Sequence, residues 1–194
     1  MTVSAKFVPF SLTVCGIEEL AGHCAVGVSH VLSILDPDIP EPSAFGAYDE
    51  HERLELRFHD IIEDVAGMIP PRPGDVERVL QFGRSLLSEP PTSTHLLVHC
   101  HAGVSRSTAS MILMLAQARP DRPAEEAMAQ VRRIRPQAWP NLRIIEIGDA
   151  MLGRGGDIVS AVRRHYGLVL ERRPEFGELM TAHGRGREVQ SAIR

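Results

Sequence analysis

Two hydrophobic periods alternate along the chain. Arg53 to Phe58 sets Leu54, Leu56 and Phe58 against Arg53, Glu55 and Arg57, the period of two that marks a half-buried strand. Asp75 to Leu87 instead places Val76, Val79, Leu80, Gly83, Leu86 and Leu87 at helical spacing, with Asp75 as the expected N-cap. Phe10 to Cys15 and Val31 to Leu35 read as further short strands, the second closed by the proline-rich run Asp36 to Pro42. Leu96 to His99 is short and apolar throughout, as a central strand covered on both faces should be. Thr108 to Ala116 is apolar nearly all round and predicts a core helix. Pro123 to Arg135 opens on proline and carries Glu125 and Glu126 early and Arg132, Arg133 and Arg135 late, charges that complement a helix dipole. Asn141 to Met151 and Gly155 to His165 complete the helical stretches. Alternating strands and helices predict an α/β fold, a mostly parallel twisted sheet of about four to five strands with helices on both faces.

Length and charge narrow the classes. At 194 residues and 43% hydrophobic content the chain suits one compact domain with a full core. A formal net charge of -4 gives no reason to expect a nucleic-acid or membrane-surface partner, and the most apolar helical stretch, near Met111 to Ala116, is too short to span a bilayer. Three cysteines, Cys15, Cys24 and Cys100, form no spaced disulfide framework, and Met1 to Lys6 lacks a signal pattern, so a reducing cytoplasm is the expected compartment.

The chemistry concentrates between a strand and a helix. His99-Cys100-His101-Ala102-Gly103-Val104-Ser105-Arg106-Ser107 places a thiol at the end of the Leu96 to His99 strand and an arginine at the start of the following helix. Such a turn directs backbone N–H groups and the positive end of a helix dipole toward one place, the setting for a bound anion. The same groups and Arg106 favour the thiolate of Cys100, the nucleophilic form. Arg106 offers a planar fork matched to two phosphoryl oxygens, and Gly103 allows a tight turn.

The segment resembles the signature of the cysteine-dependent protein tyrosine phosphatases, His-Cys-x-x-Gly-x-x-Arg-Ser/Thr. Its Ala-Gly-Val-Ser-Arg-Ser form looks most like the dual-specificity branch. The resemblance covers about residues 8 to 150 and implies a phosphocysteine mechanism without cofactor or metal. Cys100 is then the nucleophile and Arg106 the phosphoryl clamp. His101, Ala102, Gly103, Val104, Ser105 and Arg106 hold the phosphate, Ser107 assists the sulfur as leaving group, and His99 braces the loop. Phosphate and vanadate are the expected site ligands, and a phosphorylated protein, phosphotyrosine favoured, the expected substrate. On this reading residues 1–170 form the catalytic domain, 171–194 a charged extension, and Ala182 to Arg194 a mobile tail.

A leaving oxygen needs a proton, so an acid must face Cys100 from another loop. Asp60 ends the Arg53 to Phe58 strand and lies 40 positions ahead of Cys100, close to the spacing that the resemblance implies; Asp64, at 36 positions, is the alternative. Trp139-Pro140-Asn141 looks like the Trp-Pro-Asp acid loop of other tyrosine phosphatases, but it follows the cysteine and ends in an amide. It fits better the Arg-Pro-x-x-x-Pro-Asn stretch of dual-specificity phosphatases, here Arg135 to Asn141, with Asn141 as a helix cap.

Other readings compete on stated grounds. A metal site would draw on His95, His99, Cys100 and His101, yet neighbouring residues on a strand face opposite ways and no CxxC or HExxH pair accompanies them. A non-catalytic phosphoprotein-binding module would keep the loop but misplace the acid. Phosphoinositide phosphatases usually carry lysines within the loop, absent here, and the acidic balance disfavours an RNA 5′-phosphatase.

Overall fold

The computed structural model describes residues 7–90 and 93–193. Four strands, β1 (Ser11–Gly16), β2 (His30–Leu35), β3 (Glu52–Arg57) and β4 (His95–Cys100), form a sheet in the order β1-β4-β2-β3. Every neighbouring pair is parallel. The sheet is therefore wholly rather than mostly parallel. One consequence governs the site: parallel strands carry all their C-terminal ends to one edge. Gly16, Asp36, the segment Phe58 to Asp60, and Cys100 gather there.

Among the described residues there are seven α-helices, α1 (Pro73–Leu86) ahead of β4 and, after it, α2 (Arg106–Ala118), α3 (Ala124–Ile134), α4 (Leu142–Met151), α5 (Asp157–Arg172), α6 (Glu175–Ala182) and α7 (Gly186–Ser191). Buried side chains of α1 to α5 pack on the sheet face that carries Val14, Leu32, Ile34, Leu56, Leu96 and Val98. The opposite face, with Cys15, Val31 and Leu97, is covered by Leu20 and Phe45 from two 3-10 helices, Ile17–His23 and Ser43–Ala47. Helices on both faces were expected; the α-helices share one core cluster, and two short turns suffice for the other face. The central helix α2 is buried continuously from Arg106 to Ala116, so each of its Leu and Ile side chains contributes about 1.5–3 kcal/mol through lost apolar exposure. Gly83 and Gly148 bring α1 and α4 close to it, since a Cβ on either would lie 2.7 Å from Met114 or 2.3 Å from Leu113.

Two sequence expectations need correction. Asp75 is the third residue of α1 rather than its N-cap: the helix starts at Pro73, and the Asp75 carboxylate accepts the Arg72 N–H at 2.9 Å. The end of the chain, expected as a mobile tail over Ala182 to Arg194, folds back through α6 and α7 and buries Arg185 and Glu188. Its charge misled the reading, because charged residues stay exposed unless they are paired, and these two are paired with each other at 2.7 Å. Asn141, in contrast, caps α4 as expected by accepting the Ile144 N–H at 3.1 Å.

Candidate active site

Residues 101–105 connect the end of β4 to the start of α2, and neighbouring elements hold the loop from three sides. At Gly103 the backbone turns with φ +68°, and a Cβ there would stand 2.4 Å from the Cys15 carbonyl carbon of β1. Only glycine satisfies both demands. From the same strand end, Ile17 N–H donates to the His101 carbonyl at 2.9 Å. Arg135 supplies the second support, donating to the carbonyls of Gly103 at 3.1 Å and Ala102 at 2.8 Å while its fork grips Glu19. That guanidinium holds the Glu19 carboxyl below the usual carboxylate range. The third support is the segment after α3, where Trp139 N–H donates to the Val104 carbonyl at 2.9 Å and Asn141 N–H to Ser105 at 3.3 Å. All these contacts consume loop carbonyls. Among the described residues, the N–H groups of His101 to Ser105 have no protein acceptor, the condition an oxyanion requires.

Cys100 and Arg106 frame the floor. Cys100 is 2% exposed, and its sulfur lies 3.2 Å from the Ser107 hydroxyl. One nitrogen of the buried Arg106 fork, Nη1, donates to the Asp36 carboxylate and to the Phe58 carbonyl, each at 2.5 Å. Its Nε is buried without a partner, and Nη2 makes no hydrogen bond among the described residues. The Nε and Nη2 donors form one edge of the guanidinium, the edge that meets two oxygens of a phosphoryl group together. His99 faces the opposite side of the sheet from Cys100, its ring 5.5 Å from that of Phe45. Burial pulls its pKa down to about 4, so it stands neutral behind the loop.

Asp60 is tethered through a single oxygen. Its Oδ1 accepts from Ser105 Oγ at 2.7 Å, Asn141 Nδ2 at 2.9 Å and Arg185 Nη1 at 3.2 Å. Oδ2 has no partner among the described residues. Asp60 lines the same cleft as Cys100, a space of about 730 Å³ whose mouth is made of Val65, Met68, Leu179 and Met180. Asp64 lies outside this cleft, 81% exposed and paired with Arg143 at 2.9 Å. Behind Asp60, Glu188 is fully buried and ties three groups together: Arg185 at 2.7 Å, Trp139 Nε1 at 2.5 Å and the Leu142 N–H at 2.9 Å. Burial pushes the Glu188 carboxyl upward against the pull of Arg185. Burial also opposes the Arg185 charge, but Asp60 and Glu188 outweigh it and raise its pKa.

The solved structures similar to this chain carry the same arrangement of strands and helices. Human DUSP28 aligns with a TM-score of 0.54 at 15% identity, over 77% of this chain and 98% of its own. The chain has the dual-specificity phosphatase fold. A human tyrosine phosphatase-like serine/threonine/tyrosine-interacting protein aligns at 0.57 and 18% identity, over 77% and 95%. PTPMT1 in complex with PI(5)P aligns at 0.51 and 16%, over 77% and 94%. The sequence matches no protein-family model and no curated protein. Within this dual-specificity phosphatase fold, among the described residues, no three His, Cys, Asp or Glu side chains converge as metal ligands, and no helix is long and apolar enough to cross a membrane. Cys15 and Cys100 occupy opposite faces of the sheet, so their Cβ atoms diverge and no disulfide joins them without backbone movement.

Sequence reasoning named Cys100, Arg106, Ser107 and, on a facing loop, Asp60, and the structure brings them together at the C-terminal edge of the sheet. It missed Asp36, Arg135, Arg185 and Glu188. Arg135 was read as a helix-end charge and as the head of the Arg-Pro segment, but not as a support of the loop. Asp36 follows a strand as Asp60 does, a hint that parallel topology makes usable. Nothing local marks Arg185 or Glu188.

Proposed function

We propose that the protein is a cysteine-dependent phosphomonoester hydrolase acting on aryl phosphates, with phosphotyrosine in a protein as the favoured substrate. The observation that carries this reading is the unpaired Nε and Nη2 edge of Arg106, whose other arm is anchored, at a buried thiol beneath free loop N–H groups. That arrangement is complementary to a phosphoryl group whose charge shifts among its equatorial oxygens during transfer. The Cys100 thiolate attacks phosphorus, the ester oxygen departs with the proton from Asp60, and a phosphocysteine remains. Water then attacks the phosphocysteine as Asp60 accepts its proton. The sulfur leaves as thiolate, with the Ser107 hydroxyl 3.2 Å away as its hydrogen-bond donor.

The cleft walls favour an aromatic ester over a multiply charged headgroup. Val65, Met68, Leu179 and Met180 surround its mouth, and among the described residues no lysine lines it and its two arginines, Arg106 and Arg185, are buried and engaged with carboxylates. An inositol polyphosphate would find few partners there. Steady-state hydrolysis of p-nitrophenyl phosphate in EDTA tests the reading, beside Cys100→Ser. Turnover that survives EDTA and disappears in the variant supports it. Vanadate binding by a wild-type protein that turns nothing over would instead leave a phosphate-reading module.

A further inference from the structure

The segment beyond α5 does more than cover the core. Two of its arginines, Arg185 and Arg187, reach the stretch that follows β3. Arg185 meets Asp60 at 3.2 Å, and Arg187 meets Glu63 at 2.5 Å and the Ile62 carbonyl at 3.4 Å. Arg187 also pairs with Glu146 of α4 at 2.5 Å, so α7 is fixed to the body of the protein as well. Arg185 is 4% exposed and Glu188 fully buried, a costly place for charge unless it is partnered, and both Nη1 and Nη2 of Arg185 are, while its Nε is not. The guanidinium touches Asp60, Ser105 and Glu188 at once, and so links the candidate acid to the phosphate loop through one rigid group.

We infer that Arg185 is a positioning residue for the reaction, fixing Asp60 through Oδ1 so that Oδ2 is left to carry the leaving-group proton. This rests on the assignment of Asp60 as the acid. Three donors converge on Oδ1, from Ser105, Asn141 and Arg185. An oxygen that already accepts three hydrogen bonds is the carbonyl-like oxygen of a protonated carboxyl, which sends the proton to the other one. The same three bonds fix the side chain's rotation, and alignment within a fraction of an ångström governs proton transfer. Glu188 shares the Arg185 charge from behind, so Asp60 does not face an unshared cation. The C-terminal segment is thereby part of the catalytic apparatus.

The test compares phenyl phosphate, whose poor leaving group needs the acid, with 2,4-dinitrophenyl phosphate, whose good one does not. Read as kcat/KM, which reports only the steps up to the phosphocysteine, Asp60→Asn should slow the first about 100-fold or more and the second only a few-fold. Arg185→Ala should show the same selectivity, at least about tenfold on phenyl phosphate, and the double variant should be no slower than Asp60→Asn alone. Arg185→Lys, which keeps the charge but cannot bridge three partners, should recover part of the phenyl phosphate rate and carries the same comparison if Arg185→Ala does not fold. Equal losses on both substrates, or losses that add in the double variant, would overturn the positioning role while leaving the acid in place. An unselective Asp60→Asn would overturn the acid assignment and this inference together.

Discussion

Replacing Gly103 by alanine should damage the phosphate loop by an amount that can be separated into two parts. Gly103 has φ +68°, and a Cβ there would lie 2.4 Å from the Cys15 carbonyl carbon, 2.5 Å from its oxygen and 2.7 Å from the Gly16 nitrogen. These are backbone atoms of β1 and cannot swing aside. Gly27 has nearly the same φ, +67°, with nothing within 4 Å of its Cβ position. Gly27→Ala therefore measures the conformational cost alone, about 1–2 kcal/mol. Gly103→Ala adds overpacking of about 1–3 kcal/mol, for a total of about 2–5 kcal/mol. Urea denaturation of both variants gives the difference directly, and vanadate titration shows whether the loop still binds. Gly103→Ala should lose stability beyond Gly27→Ala and weaken vanadate binding at least about tenfold, or about 1.4 kcal/mol. Equal destabilisation of the two with unchanged vanadate affinity would refute the argument that β1 braces the loop.

Three further outcomes follow from the same geometry. Asp36→Asn keeps an acceptor for Arg106 Nη1 while removing a negative charge that opposes a phosphate dianion, so vanadate should bind several-fold more tightly; weaker binding in a titration would contradict this. Arg135→Ala removes the donors to the Ala102 and Gly103 carbonyls and should cost about 1–3 kcal/mol in denaturant titration with weaker vanadate binding; an unchanged loop affinity would show that this brace is dispensable. His99, held at about 4 against an ordinary 6.5, stays neutral in the folded state while its unfolded form takes a proton, so stability falls as pH drops from 6.5 to 4. At 1.36 kcal/mol for each pH unit this amounts to about 3 kcal/mol, and His99→Asn should lack that part of the slope; identical slopes for the two proteins would place the acid sensitivity elsewhere.

The fold and the floor of the site were legible because their determinants are local. β3 shows its period of two, α2 its continuous apolar surface, and the loop between Cys100 and Arg106 is a single run whose shape follows from strand, glycine and helix start. Asp60 was legible one step less directly, through its place after a strand. Arg185 and Glu188 were not, for a physical reason. Their burial depends on partners up to 125 positions away, and the surrounding Gly-Arg-Gly-Arg sequence looks solvated until Asp60, Trp139 and Leu142 are brought beside it. Helices over the second sheet face were expected, but the segments that supply them were not named, for a related cause. The 3-10 helices Ile17–His23 and Ser43–Ala47 are too short to present a helical period, yet Leu20 and Phe45 close that face.

The central claim is that Cys100 takes the phosphoryl group covalently. Rapid quenching of the enzyme in acid during turnover of p-nitrophenyl phosphate, followed by mass spectrometry of its peptides, tests this most directly. The account predicts a phosphoryl adduct on the peptide that contains Cys100, lost in Cys100→Ser and accumulating when Ser107→Ala slows the second step. Steady turnover with no adduct on that peptide in either the wild type or Ser107→Ala would contradict it.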